Sequence, residues 1–344
     1  MGMRLSRVCL VPYARGVGGP ASFQGKFAAG LEKQGIQVCH SLDDLPYDAV
    51  LVVGGTRQLG KLRRARRMGI PIIQRLNGMN WLHRKLRTGV RHYLKAEYGN
   101  LLLSTIRRRL ATGIVYQSHF AQGWWERVKG RTPVTRQVIY NGVDLDEFTP
   151  EGSHERPTDR YRILMVEGRL GGGYEIGLGN AMQLGEYLQH NHNLLVELTV
   201  AGEVPEVVRS YWEKAGMVDI QWTGIVPGDQ IPHLDRSAHL LFSADLNAAC
   251  PNAVVEALAC GLPVLSFDTG ALQEMVAGNA GRIVPYGGDP WQLDRADTLS
   301  LADAAAEILQ DQAAFRRGAR ARAEEVFGLD DMVDAYLQVL SGEW

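Results

Sequence analysis

Short runs of β-branched and aliphatic residues alternate with amphipathic stretches along most of the chain. RVCLVPY, starting at Arg7, reads as a first strand. A helix is predicted from about Ala21 to Gln34, where Phe23, Phe27 and Leu31 recur every four residues and form one apolar stripe. Gly35 ends that helix and IQVCH begins a second strand. DAVLVVGG reads as a strand, Leu59 to Met68 as a basic helix, and PIIQRL as a strand. A long helical region is predicted from about Met79 to Leu110, followed by strands ATGIVYQS and QVIY. TPEGSHERPTDR (149–160) then holds almost no apolar residue and two prolines, the composition of a linker.

The alternation restarts with YRILMVEG, a helix from Gly177 to His190, LLVELTVAG, a helix from Val204 to Ala215, DIQWTG and HLLFSAD. A short helix behind Pro251, VLSF and GRIVP follow, and Asp330 to Leu340 is one more amphipathic helix. Strands alternating with helices predict βαβ units and parallel sheets. The expected fold is α/β, with two doubly wound (Rossmann-like) parallel-sheet domains facing across a cleft. The first would span 1–150 and the second 161–328, with 151–160 between them; a return to the first domain is one placement for the C-terminal helix, 329–344. In such sheets ligands bind outside the carboxyl ends of the strands.

The 344 residues, 45% hydrophobic, are enough for about two cores. Four cysteines without a C-x-x-C spacing sit in largely apolar runs, as buried thiols would, which predicts a reduced, cytoplasmic protein. No run of about 18 apolar residues occurs to span a membrane. The net charge of −1 hides an asymmetry: Arg57 to Arg109 carries 15 Lys/Arg and one acid, Glu97. So basic a stretch fits an anionic partner, and a peripheral contact with the inner face of an anionic membrane is one reading. Two solvated helix faces are the other.

Three stretches carry candidate chemistry. GVGGPA, ending at Ala21, follows a strand and precedes a helix, so its amides suit either a phosphate or a plain tight turn. QRLNGMN ends a strand, and Arg75, Asn77 and Asn80 there suit an acceptor's hydroxyls or phosphate, or structural caps. His83 and His92 lie among cations with no carboxylate partner in view, and Trp81, Trp124 and Trp125 suit stacking on a sugar or, as the safer assignment for most, core packing. In LNAACPNAVVEALACGLPVLSFDTG, Asn252 is the predicted N-cap of an eight-residue helix. The first-turn amides, of Ala253 and Val254, then form an anion site. Glu256, one turn in, has apolar neighbours; it either complements the helix dipole or binds two sugar hydroxyls.

PNAVVEALACGLPVLSFDTGALQE resembles the donor-site signature of retaining GT-B glycosyltransferases, glycosyltransferase family 4. VIYNGVDLDEF, VEGRL, VAGEVPE, WTGIVP and GGPASFQGKFAAGLEKQGIQV resemble further pieces of that family, in its order. The resemblance implies transfer of a hexose-like sugar, with retention, from a nucleotide diphosphate sugar to a polar, anionic or lipid-linked acceptor, as in polysaccharide biosynthesis. It implies no cofactor and no metal, the nucleotide sugar being a co-substrate. Glu256 would bind the donor's ribose, Arg169 its diphosphate, and Ala253 and Val254 the phosphate or sugar. Gly18 and Gly19 would admit the phosphates, and Gly224 and Ile225 the base. The family's first acid falls on Ala248 and its lysine on Tyr174, so Asp245 and Asn247 become candidates for the missing polar contacts. Asn77 stands where the family often has a histidine. These departures leave open a catalytically degenerate scaffold subunit, and GVGGPA leaves open an NAD(P)-dependent oxidoreductase. Without aromatics arrayed as a stacking platform, no nucleic-acid partner is expected.

Overall fold

The computed structural model describes residues 4–14, 16, 18–171, 175–216 and 218–344. The chain divides into two compact units, residues 1–142 with 329–344 and residues 143–328.

The first unit begins β1 (Arg7–Val11), α1 (Gly19–Lys33), β2 (Gln37–Cys39), β3 (Ala49–Val53), α2 (Leu59–Arg67) and β4 (Ile72–Leu76). It continues α3 (Val90–Arg109), β5 (Gly113–Tyr116), α4 (His119–Lys129) and β6 (Thr135–Val138). Its strands form one parallel sheet in the order β2-β1-β3-β4-β5-β6. The all-apolar β3 and the buried β4 suit strands covered on both faces.

The second unit runs β7 (Tyr161–Arg169), α5 (Ile176–His192), β8 (Val196–Glu203), α6 (Glu206–Ala215), β9 (Asp219–Gly224), α7 (Ile231–Arg236) and β10 (Leu240–Ser243). Then come α8 (Asn252–Ala259), β11 (Val264–Phe267), α9 (Leu272–Met275), β12 (Gly281–Val284), α10 (Thr298–Gln310) and α11 (Gln312–Val326). Its parallel sheet has the order β12-β11-β10-β7-β8-β9. Both units are thus doubly wound and Rossmann-like.

The last helix, α12 (Leu329–Ser341), returns to the first unit. Its Met332, Val333, Tyr336, Val339 and Leu340 are buried in one cluster with Phe23, Phe27 and Leu31 of α1. The Tyr336 ring sits 5.3 and 5.2 Å from those of Phe23 and Phe27. A Cβ at Gly30 would lie 2.5 Å from Val333 Cγ2, so the glycine is what lets the two helices cross this closely. On the other face of the sheet, Leu62 and Ala65 of α2 and Ile106 of α3 pack with Cys9, Val11, Val50 and Val52.

Two sequence expectations need correction. The stretch from Met79 to Leu110 is not one helix: a short turn covers Leu82–Arg84, and α3 starts only after Gly89, at φ 85°. That left-handed backbone, natural to glycine, interrupts the helical region there. Residues 151–160, expected as a linker between the two domains, fall within the second unit. Arg236 donates to the carbonyls of Ser153 (3.1 Å) and Thr149 (3.2 Å), Arg156 donates back to that of Arg236, and Ser237 Oγ accepts from the Glu155 amide. The segment is laced onto the second unit because its backbone polar groups find partners there. All four cysteines are free and buried. Among the described residues no helix is long and apolar enough to cross a membrane.

Candidate functional site

In the second sheet, β7 neighbours β8 on one side and β10 on the other, so the strand order reverses between β7 and β10. Connections leave to opposite faces at such a point, which opens a crevice at the carboxyl ends of these two strands. β7 ends Glu167-Gly168-Arg169 with a register shift, and β10 leads into Ala244 and Asp245. A Cβ at Gly177 would fall 2.4 Å from Ala244 Cβ, so glycine is what lets the first turn of α5 sit on the end of β10.

Two carboxyls meet here. Loss of water, then the charge of Asp245, pushes Glu167 up to about 8. Asp245 reaches solvent but is crowded by protein on most sides, and desolvation pushes it up to about 6. Like charges this close cannot both ionise cheaply, so the pair keeps a proton into the neutral range. Glu167 escapes the sequence reading because its partner is 78 residues away; the one available signal is an acid directly after the apolar run ILMV of that strand.

Beyond Asp245 the chain turns sharply. Asn247 is left-handed (φ 59°) and buried, and its Nδ2 has no hydrogen-bond partner. The Ala248 carbonyl accepts from the Ala271 amide at 2.8 Å, and a Cβ at Gly270 would lie 2.4 Å from that same oxygen. The turn after β11 thus clamps the loop that holds Ala248.

α8 begins one residue earlier than expected. Pro251 is its N-cap and Asn252 its first residue, so Asn252 does not cap the helix. The Val254 side chain is fully buried and its amide donates to the Pro251 carbonyl at 3.2 Å. Val254 therefore leaves the set of anion-binding amides, whereas Asn252 and Ala253 stay half-buried at the helix head. Glu256 is half-buried on the second turn. Asp235 of α7 lies close enough to feel its charge; burial first, then Glu256, raises the Asp235 carboxyl well above its usual range. Glu256 thus has a second, buried carboxyl as its neighbour.

Arg169 is exposed, its Nε 3.9 Å from Glu203 Oε1. Gly224 closes β9 in the left-handed region (φ 69°), and Ile225 after it is exposed. Arg169, Asp245, Gly224 and the head of α8 all lie at or beyond the carboxyl ends of their strands. Tyr174 lies outside the described residues. Among those described, no three His, Cys, Asp or Glu side chains gather as a metal-binding group.

In the first unit the order reverses at β1 and β3. Gln24, buried in α1, holds the loop after β1 by donating to the Pro12 carbonyl (2.6 Å) and accepting from the Ala14 amide (2.8 Å). Gly18 caps α1 and Gly19 opens it; both are exposed, and a Cβ at Gly19 would meet nothing within 4 Å. Asn77 stands exposed just past β4, its carbonyl fixed by Trp125 Nε1 at 2.6 Å. The backbone of Asn80 is held by the Asn100 side chain of α3.

Arg75 is not poised for an acceptor. It is buried, donates to Asn141 Oδ1 at 2.6 Å and lies 3.7 Å over the Phe23 ring. Gln117, with its amide oxygen turned to the guanidinium, accepts from both terminal nitrogens. His83 does have a carboxylate partner: its Nε2 is 2.8 Å from Glu97 Oε1. Arg84 binds the same carboxylate, and the two hold Glu97 down at about 2. Trp124 and Trp125 are core residues.

Residues 177–311 match the family model described as glycosyl transferases group 1. An uncharacterized glycosyltransferase of Methanocaldococcus jannaschii is 24% identical over 173 residues, 46% of this chain but only 44% of that protein. Among solved structures, sucrose-phosphate synthase from Thermosynechococcus elongatus matches with a TM-score of 0.74 at 14% identity, covering 98% of each chain. HepE of Anabaena, in complex with UDP and glucose, matches with a TM-score of 0.66 at 17% identity, over 98% of this chain and 100% of that one. WaaG, a glycosyltransferase involved in lipopolysaccharide biosynthesis, gives 0.72 at 14%, over 98% and 100%. These likenesses place the fold in the GT-B class.

Proposed function

We propose that the protein is a retaining glycosyltransferase of family 4, moving a sugar from a nucleoside diphosphate sugar to a polar acceptor hydroxyl. The observation that carries this is the second sheet's strand-order reversal at β7 and β10, with the head of α8 and Glu256, which lie in the segment that matches the glycosyl transferases group 1 model, beside it. Glu256 accepts hydrogen bonds from the ribose diol. Gly224 and Ile225 border the base, and Arg169 with the Ala253 amide faces the diphosphate. Within the first unit, Gly18 and Gly19 are the candidates for a phosphate and Asn77 for a sugar or acceptor hydroxyl. In the transfer, the bond from the anomeric carbon to the diphosphate oxygen breaks, and its electron pair leaves with the diphosphate. The acceptor oxygen bonds the same face of that carbon and its proton passes to the departing phosphate oxygen. Arg169 and the helix amides meet the charge that develops. HepE's complexes with UDP and UDP-glucose make UDP-sugars the first donors to try.

The test is thermal stability against a panel of UDP-, GDP- and ADP-sugars. One donor at about a hundred times its Kd should raise Tm by roughly 5 °C or more, and Glu256→Ala should abolish the rise. A panel without any shift refutes the reading. Ala248, in place of the family's acid, favours a second reading of binding without turnover. A glycoside product whose anomeric configuration by NMR equals the donor's would exclude it.

A further inference from the structure

The outward face of α3 is apolar. Its packed face is Ala96, Asn100, Ser104, Ile106 and Arg107. Opposite that face run Val90, Leu94, Tyr98 and Leu101, spaced four, four and three residues apart, the spacing of a single stripe along a helix. They are 77%, 62%, 45% and 61% exposed. Residues 90–95 are exposed on every side, so the first turn and a half of α3 stands clear of the sheet it packs on. A core helix hides its apolar stripe; this one presents it to solvent.

The stripe is set in positive charge. Of the fifteen cations from Arg57 to Arg109, Arg75 and Arg107 are buried; the other thirteen are all exposed. The one acid of the segment, Glu97, is already bound by Arg84 and His83. α2, which supplies Lys61, Arg63, Arg64, Arg66 and Arg67, lies on the same face of the sheet. It is tied to α3 at both ends, by the Arg57 guanidinium 5.7 Å from the Tyr98 ring and by Arg66 donating to the Arg109 carbonyl. Aliphatic side chains and a tyrosine flanked by cations on a projecting helix form the pattern of an interfacial helix. Its apolar row enters the acyl boundary while the cations meet anionic headgroups.

We propose that α3, flanked by α2, is the surface by which the first unit lies on an anionic lipid bilayer, with Val90, Leu94, Tyr98 and Leu101 inserted. A flat bilayer fits better than a folded partner because the residues form a protruding ridge rather than a pocket, and a fluid acyl layer closes around a ridge.

The test is flotation of the full chain with vesicles, with no nucleotide sugar present, so that it stands or falls apart from the donor site. The protein should float with phosphatidylcholine vesicles that contain phosphatidylglycerol and stay down with pure phosphatidylcholine. Leu94→Ser with Leu101→Ser should weaken the binding at least about tenfold while leaving Tm unchanged, since neither side chain packs in the unit. Arg91→Glu with Lys95→Glu should do likewise. Three outcomes overturn the proposal. The wild-type chain stays down with anionic vesicles at low salt; or the leucine variant floats as well as wild type, leaving only diffuse charge; or lipid-free wild type dimerises and the leucine variant does not, which gives the ridge to a second copy.

Discussion

Glu167 shows how a single side chain reports on its surroundings. Its carboxyl moves from 4.5 to about 8 because it loses water and faces Asp245. An acid raised in the folded state keeps a proton that the unfolded chain has already released. Its contribution is therefore complete below about pH 4.5 and is lost as pH climbs to 8. Glu167→Gln removes that dependence. Its Tm should match wild type near pH 4.5 and exceed it at pH 8 to 9, and parallel Tm curves across that range would refute the assignment. Residue roles were legible where they follow from chain order, as with Glu256 behind Pro251-Asn252. They were not legible where strands distant in sequence meet. Arg75 reads in sequence as a free cation at a strand end, but Asn141, 66 residues on, claims it.

The elements themselves were largely legible. Strands such as β3 and β4 announce themselves by β-branched runs buried on both faces. The helices that cover them were harder: nothing assigned α4, α7, α10 or α11, and Gly89 divided the segment that carries α3. Apolar periodicity also cannot tell which side of a helix packs. Leu94 and Leu101 fit a core stripe as well as a surface one, and only burial of the opposite face decides. Close crossings were equally hidden. Gly177 reads as a poor helix residue, worth about 0.5–1 kcal/mol less than alanine. Yet a Cβ there would fall 2.4 Å from Ala244 Cβ, an atom with no rotamer to escape into. Gly177→Ala should lower stability by about 1–3 kcal/mol despite its better propensity. A thermal or urea melt checks it, and a stabilised variant would mean that α5 sits farther from β10 than the structure has it.

At the scale of the molecule, the first unit is discontinuous in sequence, its sheet and α12 separated by the whole of the second unit. α12 buries five apolar side chains against the face of α1. Ending the chain after Gly328 should therefore bare Phe23, Phe27 and Leu31, costing the first unit several kcal/mol and its solubility, while the second unit keeps its own melt. Two resolved transitions in a calorimeter, of which only one moves on truncation, would show this; a single transition unaltered by truncation would refute it.

The same interruption sets an order of events during translation. A ribosome making this protein releases every strand of the first sheet, then an entire second body, before the helix that seals the first core emerges. Through that interval the aromatic face of the opening helix has no cover of its own, so nascent chains should be captured by hydrophobic-binding chaperones until α12 leaves the exit tunnel.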